Sequence, residues 1–137
     1  MTAEIKRATM AWEGNLVFRG GAAEGGPQTA IDGDNTVGPG PMLTLLLAAA
    51  ACSGADVVVI LQKMRVALRS FRIEASGVRR EQDPKRYTAL HLEYHLAGDD
   101  LDEGRARRAI DLSLEKYCSV MASLAADTKI TYGLTLA

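Results

Sequence analysis

Residues 41–61 read PMLTLLLAAAACSGADVVVIL, and from Met42 to Ala55 they carry no charge. Leu and Ala dominate the run, and both are strong apolar helix formers. A helix apolar on every face needs other protein around it, so the stretch predicts a buried central helix. Pro41 suits its first turn, and Lys63 to Arg65 suit its C-terminal end, where cations complement the helix dipole. A membrane span is rejected on length. Spans need roughly 20 predominantly apolar residues, whereas Asp56 follows this uncharged run after Ser53 and Gly54 have already diluted it.

The chain has 137 residues, 47% of them hydrophobic, but only one Trp, four Tyr and two Phe, so its core must be aliphatic. Domains hold roughly 100 to 200 residues, which predicts a single domain over residues 1–137. Covering the central helix on all sides takes more surface than so short a chain can spare. A homodimer follows as the expectation, burying more than roughly 2,000 Å². A net charge of −1 with mixed signs gives no electrostatic case for nucleic acid or an anionic membrane as partner. The opening MTAEIKRATMAW has neither an apolar h-region nor a cleavage-like site, so a cytoplasmic protein is expected. In that compartment two cysteines are reduced, redox-active or inert rather than a standing structural disulfide.

Around the central helix the chain reads as strands and one further helix. Ile5 to Glu13 and Asn15 to Arg19 flank Gly14 and predict a hairpin. The Gly-rich loop 20–27 leads to a short strand at Gln28 to Ile31, and the loop DGDNTVGPGP from Asp32 delivers the chain to Pro41. Neither loop has the Lys-Ser/Thr pair or the G-x-G-x-x-G spacing of a phosphate cradle. Ser70 to Arg80 and Arg86 to Ala97 predict a second hairpin about the turn EQDPK. In its second strand Thr88, Leu90, Leu92, Tyr94 and Leu96 share one face, while Tyr87, Ala89, His91, Glu93 and His95 share the other. Asp100 with Glu103 approximates a capping box. From there Ala106, Ala109, Ile110, Leu114, Tyr117, Cys118, Met121 and Leu124 recur at helical spacing, predicting an amphipathic helix to about Ala125. Thr128 to Leu136 alternates as a last strand. Strands, long helix, strands, helix and strand make an α+β fold.

Cys52 and Cys118 lie far apart in sequence, with no CxxC and no Cys/His cluster, which excludes the usual zinc patterns. Two readings stay open on spacing alone: a pair of small core hydrophobes, or thiols that two packed helices bring within disulfide reach. His91, Glu93 and His95 could hold a metal at alternate strand positions, but such alternation is ordinarily the wet side of a half-buried sheet. The RARR run at Arg105 to Arg108 reads as an exposed helix face beside Glu103 and Asp111. No metal and no cofactor is expected.

The signature PMLTLLLAAAACSGADVV, the strand hairpin after it, and the segment RRAIDLSLEKYCSV together resemble the OsmC/Ohr family of thiol-dependent peroxidases, in particular its OsmC-like branch. The likeness runs over nearly the whole chain and includes the early Trp12 and Gly14. It implies an intertwined α+β homodimer in which antiparallel sheets wrap the central helices, with active sites at the subunit interface. It further implies that Cys52 is the peroxidatic thiolate attacking an organic hydroperoxide and that Cys118 resolves the sulfenic acid to a disulfide. An external dithiol would then reopen the bond. The small neighbours Ser53 and Gly54 leave room at Cys52, whereas Cys118 follows the bulky Tyr117. Leu and Met side chains would line the substrate pocket. The likeness departs at the activating cation. The hydroperoxide-resistance branch uses an Arg near the first hairpin turn, held by a Glu ten residues before the first Cys. Here that position is Met42, the turn carries Glu13, and Arg19 lies at the end of the second strand. Arg79, Arg80 or Lys116, of the same or a partner subunit, are the candidate substitutes, each read otherwise as a solvated surface charge. The rival reading is a non-catalytic protein of the same fold that holds a small apolar ligand.

Overall fold

The computed structural model describes residues 2–137, which group into two compact units meeting at Leu45 and Leu46. In the first unit β1 (Ala8–Trp12), β2 (Val17–Ala22) and β3 (Gln28–Asp32) form an antiparallel sheet in that order. The predicted hairpin is present, with Gly14 and Asn15 at positive φ of 101° and 47° and the Trp12 indole N–H donating to the Asn15 carbonyl at 2.8 Å. Its strands lie further along the chain than expected, because Gly20 and Gly21 pair as strand with Met10 and Thr9 rather than forming loop. Glycine is required there: a Cβ on Gly20 would stand 2.1 Å from the Thr9 carbonyl oxygen. The loop after β3 winds around Asp32, which is 2% exposed. Its carboxylate accepts backbone N–H bonds from Asp34 at 2.8 Å, Val37 at 2.9 Å and Thr36 at 3.2 Å. These bonds, led by that of Val37, hold the carboxyl below its ordinary pKa.

Helix α1 (Pro41–Lys63) starts in the first unit and supplies the leading element of the second. Met64, Arg65 and Val66 close it: Arg65 takes φ 63°, its N–H bonds the Gln62 carbonyl, and the Val66 N–H bonds the Leu61 carbonyl. This is a Schellman closure with Val66 and Leu61, both buried, as its apolar contact.

The expectation of burial on every face is corrected. Leu46, Ala49, Ser53, Val57 and Leu61 form one buried stripe, while Leu47 and Val59 are 52% and 48% exposed. One chain covers one side of its most apolar helix. The length argument against a membrane span is corrected too, since at 23 residues α1 is long and apolar enough to cross one. Packing gives the better argument: Ser53 and Asp56 on this helix hydrogen-bond to groups on other elements of its own unit.

The second sheet comprises β4 (Ala67–Arg79), β5 (Tyr87–Asp99) and β6 (Lys129–Leu136), with β5 central. Leu90, Leu92, Tyr94 and Leu96 of β5 are buried as the alternation requires. Tyr87, expected on the outer face, is buried as well. A register shift between Val78 and Arg79 displaces the strand end, and the Tyr87 ring lies over Gly77. The sheet is not wholly antiparallel, because β6 runs parallel to β5. The helical segment between them is a crossover that returns the chain to the same end of the sheet.

That segment is also not one helix. α2 (Glu103–Leu112) is capped by Asp102, whose side chain accepts the Arg105 N–H at 2.8 Å, so the cap is Asp102 and not Asp100. A π-helical turn follows at Ser113–Tyr117, the backbone breaks at Cys118, and a single turn α3 (Ser119–Ala122) ends the crossover. Ala106, Ala109 and Ile110 of α2 are fully buried.

Candidate active site

Cys52 and Cys118 both belong to the second unit, and both are free thiols. Cys52 lies in mid-α1, half-buried beside the inward stripe. Cys118 occupies the break, with φ −71° and ψ 100°, and its N–H reaches back to the Ser113 carbonyl at 2.7 Å. This bond spans five residues rather than four, the signature of a π-turn. A continuous α-helix would rotate the thiol to another direction. As it is, Cys52 is near enough for its side chain to act on the Cys118 thiol.

Burial pushes the Cys118 thiol up to about 11, with the Cys52 thiol and the Asp56 carboxylate raising it further and the Met121 N–H opposing them. Cys118 is therefore a thiol at neutral pH.

Behind the thiols runs a buried chain of hydroxyls that sequence reading missed. Tyr94 Oη lies 2.6 Å from Ser53 Oγ, which lies 2.9 Å from Ser113 Oγ, which in turn lies 2.9 Å from Asp56 Oδ2. Tyr94, Ser53 and Ser113 are each 0% exposed. The Ser113 hydroxyl is oriented to donate to Ser53 Oγ or Asp56 Oδ2, and in the Tyr94–Ser53 pair either oxygen can donate. Burial raises the Tyr94 phenol to about 12, against a lowering by its hydrogen bond to Ser53. The available signal was a Ser on each of two otherwise apolar helical faces, at Ser53 and Ser113. Ser53 thus fills the interior instead of leaving room for substrate, and a Cβ on Gly54 would stand 3.2 Å from Ile73 Cδ1.

The cations proposed from sequence are engaged elsewhere. Arg79 Nε donates to the Lys85 carbonyl at 2.7 Å, Arg80 Nε to the Pro84 carbonyl at 2.8 Å, and Lys116 Nζ lies 5.3 Å from the centre of the Tyr117 ring. Arg19, in the first unit, donates to both oxygens of Glu13 at 3.2 and 3.1 Å. A groove of about 350 Å³ borders the site, lined by Asp56, Val59, Ile60, Lys63, Leu112 and Tyr117. The lining is Val, Ile, Leu and Tyr with one charge of each sign, not the Leu and Met expected. On the outer face of β5, His91 Nε2 pairs with Glu93 at 2.7 Å and His95 Nε2 with Glu74 at 3.0 Å. Among the described residues no group of three or more His, Cys, Asp or Glu could hold a metal ion.

The family model described as OsmC-like protein matches residues 32–133. Protein YhfA of Escherichia coli K12 is 39% identical over 127 residues, which span 92% of this chain and 94% of that one. Among solved structures, a hypothetical protein from Aquifex aeolicus is 30% identical with TM-score 0.83, over 98% of this chain and 99% of that one. An OsmC-like protein from Mycoplasma pneumoniae gives 17% identity and TM-score 0.82, over 98% and 99%. The organic hydroperoxide resistance protein OhrB of Bacillus subtilis gives 14% and 0.63, over 96% and 98%. The last two likenesses concern the fold.

Proposed function

This chain belongs to the OsmC-like protein family, and from that premise we propose that it reduces organic hydroperoxides through Cys52 and Cys118, as part of defence against oxidative stress in the cytoplasm. What supports the proposal is that the Cys118 thiol feels the Cys52 side chain although the two lie far apart in the sequence, Cys52 on α1 and Cys118 at the break after the π-turn. The Cys52 thiolate attacks the peroxide, an S–O bond forms as the O–O bond breaks to give a sulfenic acid, and the leaving alkoxide takes up from solvent the proton the thiol gave up, departing as an alcohol. The Cys118 thiol then attacks the Cys52 sulfur, an S–S bond replaces the S–O bond, and water leaves with the thiol proton. An external dithiol returns the pair to its reduced state. The raised pKa of the buried Cys118 thiol supports its place as the second, resolving sulfur rather than the attacking one.

The reading includes a homodimer. Leu47, Ala50, Ala51, Gly54 and Val58 of α1 and Phe71 and Ile73 of β4 line an open apolar groove. A second copy of this chain matches that surface in chemistry and would complete the cover of α1. Sedimentation at decreasing concentration tests this, and a folded monomer in dilute solution contradicts it.

Two observations favour the rival, a protein of the same fold that binds a small apolar ligand without catalysis. Met42 stands where the peroxidase branch carries Glu, and Arg79, Arg80 and Lys116 are engaged away from the thiols. Single-cysteine variants separate the two. Cys118→Ser should be oxidised once, to a sulfenic acid that dimedone traps, while Cys52→Ser should not react with the peroxide. Reversed behaviour would exchange the two roles, and inertness of the wild type and both variants would leave the binding protein as the better account.

A further inference from the structure

We infer that Ser113, anchored by Asp56 and Ser53, is the positioning residue that holds Cys118 against Cys52 for disulfide formation. The inference rests on the proposed redox pairing of these cysteines and assigns a role to residues that pairing does not use.

Ser113 grips the site in two places. Its carbonyl accepts the Cys118 N–H at 2.7 Å and so defines the π-turn that turns the thiol inward. Its hydroxyl lies 2.9 Å from both Ser53 Oγ and Asp56 Oδ2. Ser53 and Asp56 flank Cys52 on α1, one residue and one helical turn further along. The carrier of one thiol is thereby tied to the carrier of the other by side chains adjacent to both. Ser113 and Ser53 are wholly buried, and buried hydroxyls in an aliphatic core cost stability unless each is paired. An Ala at position 113 keeps the carbonyl but loses the tie to α1. The thiols then sample a wider range of separations, and intramolecular disulfide formation is sensitive to such loss of orientation.

The test uses the full-length protein in glutathione redox buffers. The Cys52 thiolate attacks glutathione disulfide, forming a mixed disulfide and releasing one glutathione. Cys118 then attacks the Cys52 sulfur, closing the intramolecular disulfide and releasing the second. The equilibrium gives the effective concentration of the pair without any peroxide. Ser113→Ala should lower it by at least about 10-fold. Asp56→Ala should lower it similarly, while Asp56→Asn, which still offers an acceptor oxygen, should restore it to within about threefold of wild type. A role confined to stability would lower the melting temperature of these variants and leave the effective concentration unchanged. If Ser113→Ala does not fold, Asp56→Ala decides, since Asp56 is only half-buried. A folded variant within about twofold of wild type overturns the inference. A wild type that closes its disulfide with glutathione but ignores hydroperoxide overturns the peroxidase reading alone. A wild type that never closes it overturns both.

Discussion

The Cys52→Ser variant isolates the least accessible reacting group, the Cys118 thiol, and gives its acidity directly. Burial is the largest contributor to its elevation and survives the substitution, whereas the contribution of Cys52 is lost, so its titration midpoint should fall below the 11 of the intact pair but stay above the 9.0 of an ordinary cysteine. At pH 8 an ordinary thiol is about one-tenth ionised and one with a raised pKa less so, so alkylation by iodoacetamide should run at least several-fold slower than in the unfolded chain. Rates followed by mass spectrometry from pH 7 to 10.5 should still be climbing at the top of the range. The same shift bears on stability. The folded state holds its proton more tightly than the unfolded one, so the contribution is complete below pH 9 and is lost as pH rises toward 11. The full loss is at most about 2 to 3 kcal/mol. Comparison with the Cys52→Ser, Cys118→Ala double variant separates this from the similar contribution of Tyr94, which is lost between pH 10 and 12. An alkylation midpoint at or below 9 would refute the assignment of Cys118 as the protonated member of the pair.

Tyr94→Phe removes the head of the hydroxyl chain but leaves Ser53 bonded to Ser113, so urea denaturation should show a loss of about 1 to 2 kcal/mol, and no loss would mean the buried phenol is unpaired. Asp32 holds its loop as a carboxylate. Its lowered pKa makes that contribution complete above the unfolded value of 3.8 and lost as pH falls below it. Asp32→Asn should therefore flatten the acid limb of the stability curve, and an unchanged limb contradicts this. At Gly77 a Cβ would stand 2.5 Å from Tyr87 Cε1, so Gly77→Ala should cost about 1 to 3 kcal/mol. A melting temperature equal to wild type would show that the ring can move aside.

The elements most legible in the sequence were those with a single dominant signal. The run from Pro41 read as a helix because Leu and Ala leave no alternative period, and its end near Lys63 was marked by the change to polar residues. The alternation in β5 was equally plain. What failed depended on contacts that no local pattern encodes. The break at Cys118 interrupts a stripe whose three- and four-residue spacings are ideal for a continuous helix. It is imposed by an i to i+5 bond to Ser113, itself fixed from across the core. Parallel pairing of β6 follows from the path of the crossover, not from the composition of the strand. The one-sided burial of α1 could not be read from a stretch apolar all around, because composition records the need for cover and not what supplies it. At the site, the two cysteines were identified from their contexts, whereas Ser53, Ser113 and Tyr94 were missed because each reads alone as an ordinary helix or strand residue.

Titrating free thiols before and after one equivalent of an organic hydroperoxide per chain tests the central claim most directly, with peptide mapping of the product. The account predicts loss of two thiols per chain and a Cys52–Cys118 disulfide linking the peptides that contain them. Retention of both thiols, with the peroxide unconsumed, would contradict it.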